Sequence, residues 1–244
     1  MATKKPKAKK TKKKIGWKKF WKITGIVILS YFVFSVFITF VYKFINPPCT
    51  ILMVQRVFEQ TFSSDREVRL SKEWVDIDEI SPNMIKAVIA SEDNLFVSHN
   101  GFDVKAIERA IDHNQEGGSI RGASTISQQT AKNVFLWNGR NWVRKGLETY
   151  YTVIMEAFWS KERIMEVYLN VIEFGDGIYG VEKASQIYFG KSAKNLTKKE
   201  AALLASVLPS PLTRNAGKPT KWLNQRATRV MSLMDKHGRI RLPN

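Results

Sequence analysis

Three groups of side chains have residue types and spacing suited to chemistry. Ile85, Val88, Ile89 and Phe96 recur at helical spacing along one apolar face, and Glu92 falls in the middle of it. A carboxylate is seldom buried without a partner or a purpose. Desolvation raises its pKa and suits it to proton transfer near neutral pH, while the plainer alternative is a salt bridge near a helix end. Asp93, Phe96 and His99 follow within one or two turns, at the edge of the same expected cleft; a histidine taken singly is more often a structural one.

The second group is Thr125, Gln128, Gln129 and Lys132, on one face of a helix that Ser124 can cap, after the glycine-rich residues 116–122. A solvated face usually carries Glu–Lys pairs. This one carries neutral hydrogen-bonding groups and one cation, which can read hydroxyls and hold an anion beside a helix N-terminus; plain solvated surface is the alternative. In the third group Arg140, Arg144, Glu148 and Tyr151 lie roughly on one side of a long helix or its flanking turn. Arg144 and Glu148 are either a surface i,i+4 pair worth about 0.2–0.5 kcal/mol, or part of a site for a phosphorylated leaving group, with two guanidiniums beside a second carboxylate.

The elements that must position these groups read as helices. Ser81-Pro82 supplies a cap and a first-turn proline, Asp103 can cap 104–112, and a long helix is expected over about 141–159. Ser160 can start another that ends near Asn170, and a helix to Phe189 should stop at Gly190. Leu196-Thr197-Lys198-Lys199-Glu200 reads as a capping box before the apolar AALLASVL, and a last helix runs from about Lys221 to Gly238. Residues 51–58 are the one candidate strand. The expectation is a mostly α domain over 73–244, joined by a juxtamembrane linker, 46–72, to an anchor at 23–45.

The anchor is expected because Ile23 to Tyr42 hold no charge, and 20 helical residues span roughly 30 Å, the thickness of a hydrocarbon core. Trp17, Phe20 and Trp21 before it, and Tyr42 and Phe44 at its far end, match interfacial aromatics. A cleaved signal peptide fits less well, since the apolar stretch is long and no Ala-x-Ala site follows. The basic tail, 1–22, holds 11 lysines and no acid, so the positive-inside bias places it in the cytoplasm and the body on the periplasmic or outer side. Its position beside the anchor points to anionic membrane lipid rather than nucleic acid. The single cysteine, Cys49, excludes an intrachain disulfide or a cysteine-based zinc site, and His99, His113 and His237 are too scattered for a histidine-rich metal centre.

In their order along the chain, the motifs resemble those of the peptidoglycan glycosyltransferases, glycosyltransferase family 51. Residues 92–101, EDNLFVSHNG, resemble EDxxFxxHxG; residues 122–133, GASTISQQTAKN, resemble GxSTIxQQxxKN. RKGLE at 144–148 matches RKxxE, and KERIMEVYLN at 161–170 is similar to KxxILExYLN with Met165 for the leucine. Segments 177–191 and 196–211 also resemble the family, so the likeness covers about residues 70–240.

The resemblance implies a lysozyme-like α fold and polymerisation of lipid II into β-1,4 glycan strands, with inversion and release of undecaprenyl pyrophosphate. Glu92 would deprotonate the acceptor 4-hydroxyl. Glu148 would assist the leaving pyrophosphate directly or through a divalent cation, Mg or Mn, as its ligand. Lys132 and Arg140 would bind the pyrophosphate, with Arg144 beside them. Ser124, Thr125, Gln128 and Gln129 would line the donor cleft, and Asp93, Phe96 and His99 would lie against substrate. Implied partners are lipid II, nascent glycan, membrane lipid and proteins of cell-wall synthesis or division. Two departures stand out: Gln225-Arg226 where paired arginines are usual, and Asn215-Ala216 for Asn-Pro. No Ser-x-x-Lys occurs, so the expected form is the monofunctional one without transpeptidase activity. The alternative enzyme is a lysozyme-like muramidase or lytic transglycosylase, which needs no pyrophosphate-binding cations; a non-enzymatic membrane scaffold is the alternative outside enzymes.

Overall fold

Caps and breakers set the boundaries of most helices in the computed structural model, which describes residues 16–117, 122–139, 141–238 and 240–243. The chain divides into two units, one ending at Ile38 and one running from Thr39 to Asn244. Helix α1, Trp17–Val41, has 25 residues and a mean hydropathy of 2.3 in its most apolar window, long and apolar enough to cross a membrane. Its first turns carry Lys18, Lys19 and Lys22, so the helix begins before the uncharged stretch does.

The second unit is mostly α, as its periodicity implies. Helix α2, Ile51–Thr61, occupies the segment expected as a strand. Thr50 caps it, and Met53, Arg56 and Gln60 form its buried stripe at helical spacing. Arg56 is held inside by the carboxylate of Glu173, at 2.9 and 3.1 Å, a partner 117 residues away that no local pattern reveals. Ile51, Val54, Phe58 and Phe62 are left exposed on the outer side.

Next come β1, Ser71–Lys72, α3, Pro82–Glu92, α4, Val104–Gln115, and α5, Ile126–Phe135. Ser81 caps α3 and Asp103 caps α4 as expected, but the cap of α5 is Thr125, not Ser124. Thr125 and Gln128 close a reciprocal capping box there, which Ser124 one position earlier cannot make. Helix α6, Trp142–Phe158, starts from Asn141, and α7, Lys161–Val171, from Ser160. Strands β2, Glu173–Gly175, and β3, Ile178–Tyr179, join β1 in a small sheet of order β1-β3-β2, with β1 parallel and β2 antiparallel to β3. Gly177 turns this hairpin at φ +69°, and a Cβ there would lie 2.2 Å from the Arg69 carbonyl oxygen, so only glycine fits.

Helices α8, Val181–Phe189, α9, Lys198–Val207, and α10, Lys221–Lys236, complete the unit. Gly190 ends α8 in the left-handed conformation, and Thr197 with Glu200 caps α9. Ala201 to Val207 are all buried, so α9 is the core rod, with α3 and α10 packed on it. On the other side α5 packs on α6 and α7. The site lies where these two groups of helices meet, at the end of α3 and the start of α5.

Candidate active site

Glu92 is the last residue of α3, so the apolar stripe expected to run past it on one helix is interrupted. Phe96 completes the stripe from the following turn. It is fully buried, with the Lys161 ammonium 4.7 Å from its ring centre. Phe96 is therefore a core contact.

Asp93 and His99 fasten this turn to α5. The Asp93 carboxylate accepts the Ile126 N–H at 3.0 Å and lies 2.9 and 3.0 Å from His99 Nε2. A carboxylate on the first N–H groups of a helix is favoured by both hydrogen bonding and the dipole. The Thr125 hydroxyl donates to the Gly101 carbonyl at 2.6 Å, and Gln128 accepts the Thr125 N–H. Gly101 sits at φ +84°, where a Cβ would come within 2.8 Å of the Thr152 methyl. Asp93, Thr125 and Gln128 are each at most 6% exposed. With His99 they hold the turn in place through contacts to backbone and to each other, and Asp93 and Thr125 also line the cleft beside Glu92.

Gln129 is the group that does face Glu92. Its Nε2 donates to Glu92 Oε2 at 3.0 Å, while its Oε1 accepts the hydroxyl of Tyr168 on α7 at 3.1 Å. Tyr168 is fully buried and burial pushes its pKa well above the usual value, so it stays a donor. A donor on the amide oxygen fixes which end of Gln129 points at Glu92. Burial raises the Glu92 pKa; the Gln129 amide and the fields of Arg226, Arg214 and Lys132 oppose that rise. The carboxylate is thus kept ionisable and basic, the condition for a general base.

One turn further along α5, Lys132 is half-buried, and burial lowers its pKa against the favourable fields of Glu148 and Glu92. Among the described residues no carboxylate lies within ion-pair distance of it. Glu148 on α6 is 2% exposed and already bound on both oxygens, by Arg144 at 2.7 Å and by Lys145. Lys145 also donates to the exposed Ser124 hydroxyl at 3.2 Å. The Arg144 Nε is buried without a partner. Tyr151 is stacked on Phe135, centroids 4.5 Å apart, and serves packing. Arg140 lies outside the described residues.

As a divalent-metal site, Glu148 does not fit. Both its oxygens are engaged by cations, and Arg144, Lys145 and Lys132 surround it with positive charge. Among the described residues no cluster of three His, Cys, Asp or Glu side chains is placed to share an ion with it.

Two clefts meet at the Glu92–Gln129 hydrogen bond. One, of about 480 Å³, is lined by Glu92, Asp103, Arg109 and Ser124 among others. The other, of about 520 Å³, holds Gln129, Lys132 and Arg144 against an apolar wall that includes Leu136, Trp137 and Pro209. Such a site can accept a proton on one side and stabilise negative charge on the other. Sequence reasoning missed Lys145, Tyr168, Arg214 and the weight of Arg226. The Tyr168 role was hidden inside the fourth motif, and the two arginines reach Glu92 from segments more than a hundred residues later.

A desolvated carboxylate held by a fixed amide, with a half-buried cation in the adjoining cleft, suits proton transfer beside a developing negative charge. The chain belongs to the transglycosylase family: the family model described as Transglycosylase matches residues 59–235. It is 47% identical over 222 residues to a biosynthetic peptidoglycan transglycosylase of Haemophilus influenzae, covering 90% of each chain. It is 52% identical over 184 residues to one of Xanthomonas campestris, covering 75% of each. A Pseudomonas fluorescens protein of the same name is 47% identical over 211 residues, 86% of this chain and 88% of that one.

Proposed function

We propose that this protein is a peptidoglycan glycosyltransferase that joins lipid II units into β-1,4 glycan strands and releases undecaprenyl pyrophosphate. The observation that carries this reading is the pairing of Glu92, raised in pKa and held by Gln129, with the half-buried, unpaired Lys132 in the adjoining cleft. Glu92 takes the proton of the acceptor 4-hydroxyl as its oxygen attacks the anomeric carbon, which inverts. Charge grows on the departing pyrophosphate, where Lys132 and the Arg144 guanidinium stabilise it; Arg140 is proposed to share that role. Glu148 holds Arg144 and Lys145 in place rather than touching the sugar. Ser124 lies at the rim of the cleft that Glu92 lines.

A hydrolytic muramidase would have no use for a half-buried cation without an ion-pair partner near its base, so Lys132 favours the synthetic reaction. The lipid-linked substrate also accounts for α1. It is proposed as a single-pass anchor in the cytoplasmic membrane, with the lysine-rich residues 1–22 in the cytoplasm and the domain on the outer side, where cell-wall proteins are its expected neighbours. The test is to supply the purified chain with lipid II and, separately, with finished cell wall. Polymer from the first and no sugar released from the second is the expected result. Release from the wall without polymerisation would overturn it.

A further inference from the structure

Beyond the two clefts of the active site, a third cleft of about 570 Å³ opens on the far side of the Pro211–Thr213 segment. That segment lines both this cleft and the one that holds Lys132, so the two are neighbours through a shared wall. Three cations line the third cleft: Arg69, Arg214 and Lys218. Its one acid, Asp176, is already committed. Arg66 binds both carboxylate oxygens and Gln60 donates to one of them, and the Arg66 contact holds the Asp176 pKa below the usual range. The side chains of Arg69 and Lys218 are exposed, and among the described residues neither has a hydrogen-bond or ion-pair partner.

Arg214 ties this cleft to the catalytic one. Its guanidinium donates to the Ser206 carbonyl at 3.0 Å and lies 4.5 Å from the Trp222 ring centre, and its field also acts on Glu92. Short apolar side chains, Ile178, Ile187 and Leu212, complete the walls. Two cations without partners, Arg69 and Lys218, beside apolar walls and next to the cleft that holds Lys132, match a ligand with a carboxylate at the end of a short aliphatic chain.

We propose that this cleft binds the terminal carboxylate of the peptide carried by the lipid-linked sugar. The inference rests on the glycosyltransferase reading above, since it is that substrate which brings a peptide to the site. The two clefts share the Pro211–Thr213 wall, and an extended peptide reaches about 3.3–3.6 Å per residue. Arg69 and Lys218 clamp the carboxylate by charge-assisted hydrogen bonds, and the Pro211–Thr213 segment separates it from the pyrophosphate. The cleft is a specificity device, and the peptide end contributes to binding without entering the chemistry.

The test uses the full chain in vesicles and two lipid-linked disaccharide-peptides, identical except that one ends in a carboxylate and the other in a carboxamide. The wild-type chain should bind the carboxylate form about five- to tenfold more tightly. Arg69→Ala with Lys218→Ala should remove that preference and leave carboxamide binding unchanged. These side chains are exposed and unpartnered, so the fold should survive, which circular dichroism checks. A preference that persists in the double variant, or equal weakening toward both substrates, overturns the proposal. So does a preference that follows the anionic lipid content of the vesicle, which would make the cleft a headgroup site. Polymerisation is read in the same samples. If the wild-type chain polymerises neither substrate, the glycosyltransferase reading fails, while the binding ratio still decides this one.

Discussion

Glu92 sits between opposing influences, and their balance can be measured. Burial raises its pKa, while Arg226, Arg214 and Lys132 draw it back. A base works only when deprotonated, so kcat/KM for polymerisation should fall as pH drops through a value above the ordinary carboxylate range of about 4.3. Arg226→Ala removes a cation that favours the ionised form, so the acid limb should move to higher pH; a limb that stays or moves down would contradict the assignment. Tyr168→Phe should cost about five- to tenfold in kcat, because one hydrogen bond of about 1 kcal/mol no longer orients the Gln129 amide. Steady-state kinetics at fixed pH would show it, and an unchanged kcat would mean that Gln129 orients itself. At this scale Glu92, Gln129 and Lys132 were legible because each broke the pattern of its helix. The arginines were not, since a through-space field from α10 and the loop before it leaves no mark on α3.

Among the elements, the cap of α5 decides where the site residues point. Ser124 and Thr125 are both cap-forming types, and local sequence does not separate them. Tertiary structure does, because only the Thr125 hydroxyl reaches the Gly101 carbonyl while its own backbone meets Gln128. Thr125→Ala should therefore cost about 1–2 kcal/mol in urea unfolding, whereas Ser124→Ala should stay within about 0.5 kcal/mol. The reverse order would return the cap to Ser124. Most other helices were readable from their caps, as at Ser81, Asp103, Ser160 and Thr197. Helix α2 was not, because ILMVQRVF is rich in β-branched residues and its inward face includes a charge, Arg56, whose partner Glu173 is remote in sequence.

At the scale of the whole molecule, the proposed anchoring by α1 and the lysine-rich tail carries a definite orientation that can be tested. A reporter active only outside the cytoplasm, fused after Asn244, should be active, and replacing most lysines of residues 1–22 with neutral residues should weaken that orientation. A C-terminus found in the cytoplasm would reverse it. A helix long and apolar enough to cross a membrane was legible from length and composition alone. The division of labour inside the domain was not: several motif residues that look alike in sequence serve to clasp the turn 93–101 to α5, and only some of them and of their neighbours open to the clefts.

The central claim is that Glu92 is the base of glycan polymerisation, and Glu92→Gln tests it most directly. The amide keeps the size of the side chain and a contact to Gln129, yet cannot take the acceptor proton. Polymer formation from lipid II by the purified variant should fall by at least about a thousandfold, the scale of a lost general base, with an unchanged circular dichroism spectrum. Polymer yield within about tenfold of the wild-type chain would contradict the account.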